Sequence, residues 1–327
     1  MTDGAGTDLA LGIDLGGTKL GLALVDRAGR VSGSERRETA TAGGPEGVIA
    51  EIAAGARLLL GAAPVGSVGV GFAGQVDARA GVVRSAQNLA GWEGFPLAEA
   101  LRGALSLPVA IANDVSAITL AEHAAGAGRG IDDLVVVAVG TGVGGGVIAG
   151  GRLLEGAGGF AGELGHLTLV ADGRRCRCGN RGCLEAYAGG WAIAERAREV
   201  VDEAPEAGKA ILEAAGGSAQ ITAESVAHAA RGGDPLARRL VAETGCLLGA
   251  GLVSVIHAFN PRRLILTGGV IEGMSDLVAA AAAEVRKRAI AVFLEELEIV
   301  PAALGAEAGA IGAALLAQRR FGEPRDG

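Results

Sequence analysis

Leu9-Ala-Leu-Gly-Ile-Asp14-Leu-Gly16-Gly17-Thr18-Lys19-Leu20-Gly-Leu-Ala-Leu-Val25 sets an aspartate and a glycine pair between two apolar runs. The pattern predicts strand, turn, strand. A dinucleotide fingerprint or a P-loop would follow one strand and open a helix, whereas the residues after Lys19 continue as strand. No G-x-x-x-x-G-K-[ST] spacing occurs at this site. A glycine hairpin of this kind brings backbone N–H groups to phosphate oxygens, because no Cβ stands in the way. Thr18 supplies a hydroxyl donor, and Asp14 is placed to hold hydrated Mg²⁺ between phosphates. The plain alternative is an ordinary Gly-Gly hairpin with aspartate as turn former.

Outward from this hairpin, a third strand is expected over residues 31–37 and a helix over 45–60, with Pro45 in its first turn. A strand at 67–72, a helix at 96–105 and a strand at 109–112 follow. This order predicts a mixed sheet with helices on its faces. A second cycle opens at 134–139 and 145–149, around Gly140-Thr141-Gly142. Two glycine-threonine hairpins, each starting an α/β half, imply a duplicated α/β architecture with a cleft between the halves. Helices are expected over 184–201, 222–231, 235–259 and 307–318, and a strand over 263–266. Residues 202–220 read as a variable helical or looped connection.

Composition narrows the class. The 327 residues suffice for one large or two ordinary domains. Half are apolar but only 3% are aromatic, so the interior is built from Ala, Val, Leu and Ile. A net charge of −8 of mixed signs argues against a nucleic-acid partner, which needs a basic face. The start has neither a basic nor an apolar signal region. The uncharged run 134–151 is too glycine-rich for a spanning helix and reads as two buried strands. No membrane association is therefore expected, and the location is read as cytoplasmic. Three of the four cysteines lie between Cys176 and Cys183, a clustering that points to metal rather than disulfides. Cys246 reads as a plain buried thiol.

Four further features carry chemistry. Gly140-Thr141-Gly142-Val-Gly-Gly-Gly146 offers a second set of unobstructed backbone donors, and Thr267-Gly268-Gly269-Val270 a third, at a strand end suited to an adenosine. Asn113-Asp114 closes a strand ahead of a helix. Asp114 there is either a helix N-cap or a general base that takes a proton from an attacking hydroxyl. Glu163-Leu-Gly-His166 followed by Cys176-Arg-Cys178-Gly-Asn-Arg-Gly-Cys183-Leu-Glu185 supplies one imidazole and three thiolates. That is the closed tetrahedral set of a structural zinc site, with no open position for a zinc-bound water. Surface thiols beside an unrelated histidine are the alternative. Glu163 and Glu185 flank the cluster, where they would accept hydrogen bonds from sugar hydroxyls or stand as solvated surface glutamates.

Together these motifs, with Gly71-Phe-Ala-Gly74-Gln-Val-Asp77 and Asn88-Leu-Ala-Gly-Trp92, resemble the ROK family of sugar kinases and repressors, most of all its ATP-dependent bacterial glucokinases. The resemblance implies a two-domain actin-like (ribonuclease H-like) α/β kinase fold with an interdomain cleft. One domain would comprise residues 1–115 plus 305–327, the other residues 116–304 with the zinc cluster. It further implies Asp114 as catalytic base and Asn88, Asn113, Glu163, His166 and Glu185 as sugar contacts. Asp14, Gly16, Gly17, Thr18 and Lys19 would handle the phosphates of ATP with Mg²⁺, together with Gly140, Thr141 and Gly142, while Gly268 and Gly269 face the nucleoside. His166 would give one ring nitrogen to zinc and turn the other to the sugar. A homodimer or homotetramer is implied as well. Departures are Ala73 where the family commonly has proline, Val115-Ser116 where it often has Ala-Asn, and Gly189 where serine is frequent. Glucose is the expected sugar; N-acetylmannosamine, fructose and allose are alternatives, as is a sugar-binding member without catalysis. Polyphosphate is an alternative donor. A repressor would carry a helix-turn-helix ahead of the kinase fold, and the loop at Asp14 leaves no room for one.

Overall fold

The structure is a computed structural model that describes residues 9–61, 63–86 and 89–322. Asn88 lies outside the described residues. The chain runs β1 (Leu9–Leu15), β2 (Lys19–Asp26), β3 (Val31–Glu38), α1 (Gly44–Leu60), β4 (Val65–Phe72), β5 (Gln75–Asp77), β6 (Val82–Ser85), α2 (Leu97–Leu105), β7 (Val109–Asn113) and α3 (Asp114–Ala125). It continues through β8 (Leu134–Val139), β9 (Val143–Ala149), β10 (Arg152–Leu153), α4 (Glu185–Ala188), α5 (Gly190–Glu203), α6 (Lys209–Ala215), α7 (Ala223–Arg231) and α8 (Pro235–Phe259). Last come β11 (Arg263–Thr267), α9 (Gly269–Gly273), α10 (Ser275–Arg288), β12 (Glu298–Pro301) and α11 (Ala308–Phe321).

Two compact units form. The first takes the chain up to Leu134, Gly146–Gly162 and the chain from Ala302 onward; the second takes Val135–Gly145 and Glu163–Pro301. The expected division after residue 115 is displaced, because α3 packs against α11. That contact keeps α3 with the first unit.

In the first unit a five-stranded sheet has the order β3-β2-β1-β4-β7. β1 and β2 are antiparallel, with Leu15 opposite Leu20, so residues 14–19 form the expected hairpin. β4 and β7 run parallel in turn. Strand alternation sorts two faces. Leu11, Ile13, Leu15, Leu20, Leu22 and Leu24 join α1 and α2 in one core cluster. Ala10, Ala23 and Val25 join α11 in another. That second face is built of small residues because α11 lies close upon it. A Cβ on Gly12 or Gly69 would run into the backbone of Ala310 or Ala313.

The second sheet has the order β10-β9-β8-β11-β12. The apolar run at 134–151 is indeed two strands, with Val135, Val136, Val137 and Val139 all buried. By length and composition α8 could cross a membrane, but 56% of its most apolar window is buried inside the protein. It packs against α10, α7 and α4.

The expected helix over 184–201 is two helices, broken where Gly189 is extended (φ −65°, ψ 150°). The connection 202–220 contains α6. Sequence reading did not find α10, where five consecutive alanines from Ala279 to Ala283 run round the helix and blur the buried stripe of Leu277, Ala281 and Val285, or the four-residue β12.

Candidate active site

The first glycine hairpin is closed by Gly16 N–H donating to the Lys19 carbonyl at 2.9 Å. Thr39, at the end of β3, braces it from the side. Its hydroxyl donates to the Gly16 carbonyl at 2.8 Å and its N–H to the Thr18 carbonyl at 3.1 Å. Sequence reasoning missed Thr39, since nothing local links it to a turn 21 residues earlier. Gly16 and Gly17 are half-buried, while Thr18 and Lys19 are exposed. Burial pushes the Asp14 carboxyl up to about 6, against the opposing pull of Arg36.

Asn113 and Asp114 divide the two tasks open to them. Asn113 is the N-cap of α3: its Oδ1 accepts from Val115 N–H at 2.9 Å and Ser116 N–H at 3.2 Å. Its amide donates to Asp114 Oδ1 at 2.9 Å and to the Gly74 carbonyl at 3.3 Å. The capping role considered for Asp114 thus belongs to its neighbour. Asp114 is the first helical residue, held by Asn113 and by Val115 N–H at 2.9 Å.

In the second unit, the loop at 140–142 follows β8 and that at 268–269 follows β11. These strands are sheet neighbours, so the two loops emerge side by side. A cavity of about 800 Å³ opens beside them, lined among others by Thr141, Trp191, Arg198, Thr222, Gly269 and Met274. Gly140 lines it as well. The N-terminus of α7, closed by a reciprocal Thr222–Ser225 capping box, faces this space. Trp191 and Thr222 are further residues that sequence reasoning did not single out. They come to the cavity only through tertiary packing.

The cysteine cluster closes as expected. The ligand atoms of His166, Cys176, Cys178 and Cys183 all lie within 4.8 Å of one another. Cys176 Sγ is 3.7 Å from His166 Nδ1, and Cys178 Sγ is 3.7 Å from Cys183 Sγ. Single bridges between Thr168 and Cys183 and between Arg175 and Arg181 shape the knuckle. Gly182 turns it with φ +80°, packed so tightly that a Cβ would strike the Val170 carbonyl. Burial pushes the Cys176 thiol up to about 12 and raises Cys183 as well. A divalent cation would hold three such sulfurs together as thiolates, and the one-nitrogen, three-sulfur set fits zinc.

His166 Nε2 points away from the sulfurs and lies 3.7 Å from Glu163 Oε2. Glu185 differs from Glu163. It is buried, with Oε2 accepting from Val143 N–H at 2.9 Å and Oε1 from Trp191 Nε1–H at 3.2 Å. Both of its oxygens are engaged by the protein itself.

A sheet of this order, glycine loops at strand ends and a four-ligand knuckle define a ROK-type architecture, and the chain belongs to the ROK family, whose profile matches residues 10–320. It is similar to the glucokinase of Thermotoga maritima, 34% identical, over 95% of this chain and 98% of that one. The glucokinase of Streptomyces coelicolor is likewise 34% identical over the same shares. Among solved structures, the ROK family glucokinase from Streptomyces griseus in complex with glucose and AMPPNP aligns with a TM-score of 0.83 at 34% identity, covering 95% of this chain and 99% of that one. The fold is the actin-like sugar kinase fold that the family resemblance implies.

Proposed function

We propose that the chain phosphorylates a hexose with ATP, glucose to glucose 6-phosphate. The observation that carries this reading is the likeness, over nearly the whole chain, to a structure solved with glucose and AMPPNP. The chemistry of the residues is consistent with it. The Asp114 carboxylate would take the proton of the attacking sugar hydroxyl as that oxygen bonds to the γ-phosphorus and ADP leaves. Asn113 holds Asp114 in place and caps its helix. Asn113, Glu163, Glu185 and His166 Nε2 would meet the sugar hydroxyls, with Nδ1 of His166 turned to zinc. Asp14, Gly16, Gly17, Thr18 and Lys19 would serve the phosphates and Mg²⁺. The cavity beside Gly140, Thr141, Gly142, Gly268 and Gly269 would take the nucleoside and its adjoining phosphates.

Zinc would act as a brace. Its four protein ligands complete a tetrahedral shell, which supplies no activated water. Asn88 is carried in this proposal as a sugar contact by resemblance alone. A cytoplasmic homodimer or homotetramer without nucleic-acid or membrane partners completes the reading. Sedimentation should return a mass of two or four chains.

ADP release on glucose, N-acetylmannosamine, fructose and allose tests the activity. Glucose should give the highest kcat/KM, and Asp114→Ala should lower kcat by about 10²–10⁴-fold. Equal turnover by that variant removes Asp114 from the mechanism. Turnover on none of the sugars would leave a sugar-binding protein. Turnover with polyphosphate in place of ATP would reassign the donor.

A further inference from the structure

The nucleotide cavity carries an excess of cations, in a chain whose net charge is −8. Its lining holds Arg177, Arg198 and Arg231 against one carboxylate, Glu224. Two of the three guanidiniums are occupied by the fold. Arg198 donates to the Ile221 carbonyl at 3.0 Å and Arg231 to the Gly273 carbonyl at 2.8 Å. Arg177 differs. Among the described residues no hydrogen bond or ion pair holds its guanidinium, which lies over the Trp191 ring, 4.6 Å from the centroid. Other arginines of the knuckle are tied down: Arg174 pairs with Glu199 at 2.6 Å, and Arg181 donates to the Gly173 carbonyl at 3.0 Å.

The Arg177–Trp191 pair is placed from two sides. Arg177 stands between Cys176 and Cys178, so the knuckle sets its backbone. Trp191 is the second residue of α5, and its N–H donates to the Thr141 carbonyl at 3.1 Å, beside the glycine loop. Its indole N–H donates to Glu185 Oε1 at 3.2 Å, which anchors the ring. A guanidinium over an aromatic face is held by cation–π attraction, while its N–H donors, lying in its own plane, stay available. Arg177 is therefore an exposed but positioned cation at the loop end of the cavity.

We infer that Arg177 is a specificity-determining residue for the phosphoryl donor, its guanidinium pairing with the phosphates of the nucleotide from its seat on Trp191. The inference rests on the nucleotide reading of this cavity given above. Backbone N–H groups of a glycine loop bring only partial charges to a phosphate. An arginine adds a full charge and a fork of donors that matches two phosphate oxygens. Such a contact strengthens binding of the donor before any bond breaks, so its loss belongs in KM more than in kcat.

Calorimetry without sugar measures AMPPNP and adenosine on wild type, Arg177→Gln and Arg177→Lys, with zinc content determined for each. Arg177→Gln should weaken AMPPNP roughly tenfold or more and adenosine by less than about twofold, since only the former offers phosphates. Arg177→Lys keeps the charge without the fork and should fall between Arg177→Gln and wild type. The ATP KM should rise in step with the AMPPNP loss, and the sugar KM should hold within about twofold. Unchanged AMPPNP affinity in Arg177→Gln overturns the inference. An equal loss for adenosine places Arg177 on the base and overturns it too. A raised sugar KM with an unchanged ATP KM does the same and leaves the kinase reading standing. Wild type that binds no AMPPNP and turns over no hexose overturns both.

Should Arg177→Gln lose its zinc or fail to fold, Trp191→Leu carries the test from outside the knuckle. Without the ring the guanidinium loses its seat, and AMPPNP should weaken about threefold to tenfold while adenosine again moves by less than about twofold. Equal binding of AMPPNP by Trp191→Leu and wild type overturns the inference.

Discussion

Asp14 sits in β1 with Gly21 and Gly71 as its sheet neighbours, and burial holds its carboxyl near 6 against an ordinary value of 3.8. Between those two values the folded chain binds more protons than the unfolded chain, so stability falls as pH rises through the window. What is lost by neutral pH is on the order of 3 kcal/mol. A charge kept at that cost is explained by the phosphates and Mg²⁺ it is proposed to serve, and Asp14→Asn separates the two demands. The variant should melt several degrees above wild type at pH 7.5, lose that advantage by about pH 4, and have kcat reduced by about a hundredfold or more. Melting curves at the two pH values, with an ADP-release assay, check both halves. The residue scale is also where sequence and structure part most clearly. The clustering of the three cysteines was legible because they are close in sequence. The cap on α3 shifted from Asp114 to Asn113, since either residue type caps a helix and only the backbone angles choose between them. The two oxygens of Glu185 were illegible because their donors, Val143 and Trp191, lie in other elements.

The knuckle is the element most fully written in the sequence. Three of its four ligands fall within one eight-residue loop, so short-range geometry nearly fixes it, and only His166 arrives from outside. The helix that follows was misread as continuous, because Gly189 breaks it in a way that apolar periodicity does not register. Within the knuckle the thiols differ in setting. Cys183 is fully buried and packs with Cys176 and Ala186, whereas Cys178 is exposed. Cys178→Ser and Cys183→Ser should both drop the protein from about one zinc per chain to almost none, as a four-ligand site requires. Cys183→Ser should also melt lower than Cys178→Ser, since it leaves a hydroxyl in a packed, apolar spot. Metal analysis and parallel thermal melts distinguish the two effects. Zinc retained by both variants would remove the metal reading of the cluster.

At the scale of the whole chain, the first unit is discontinuous, and the contact that returns the chain to it has no sequence signature. Glu122, near the end of α3, is fully buried. Its carboxylate accepts from Ala127 N–H at 2.7 Å, Leu304 N–H at 2.9 Å and Ala303 N–H at 3.1 Å. The last two donors lie more than 180 residues downstream, at the entry to α11. The Ala-rich helix was legible as a helix, but which sheet face it covers was not, because small residues pack by close approach rather than by a distinctive apolar stripe. Glu122 thus latches the returning segment. Glu122→Ala leaves three backbone donors without an acceptor, at about 1–3 kcal/mol for each one kept from water. The urea midpoint of the first unit should fall by an amount corresponding to at least about 3 kcal/mol. Glu122→Gln keeps one accepting oxygen and should fall between that variant and wild type. Glu122 lies in none of the proposed substrate contacts, so the folded fraction of either variant should keep wild-type KM for ATP and sugar. A loss of affinity equal to the loss of stability would show instead that α11 is held in place for the sake of the site.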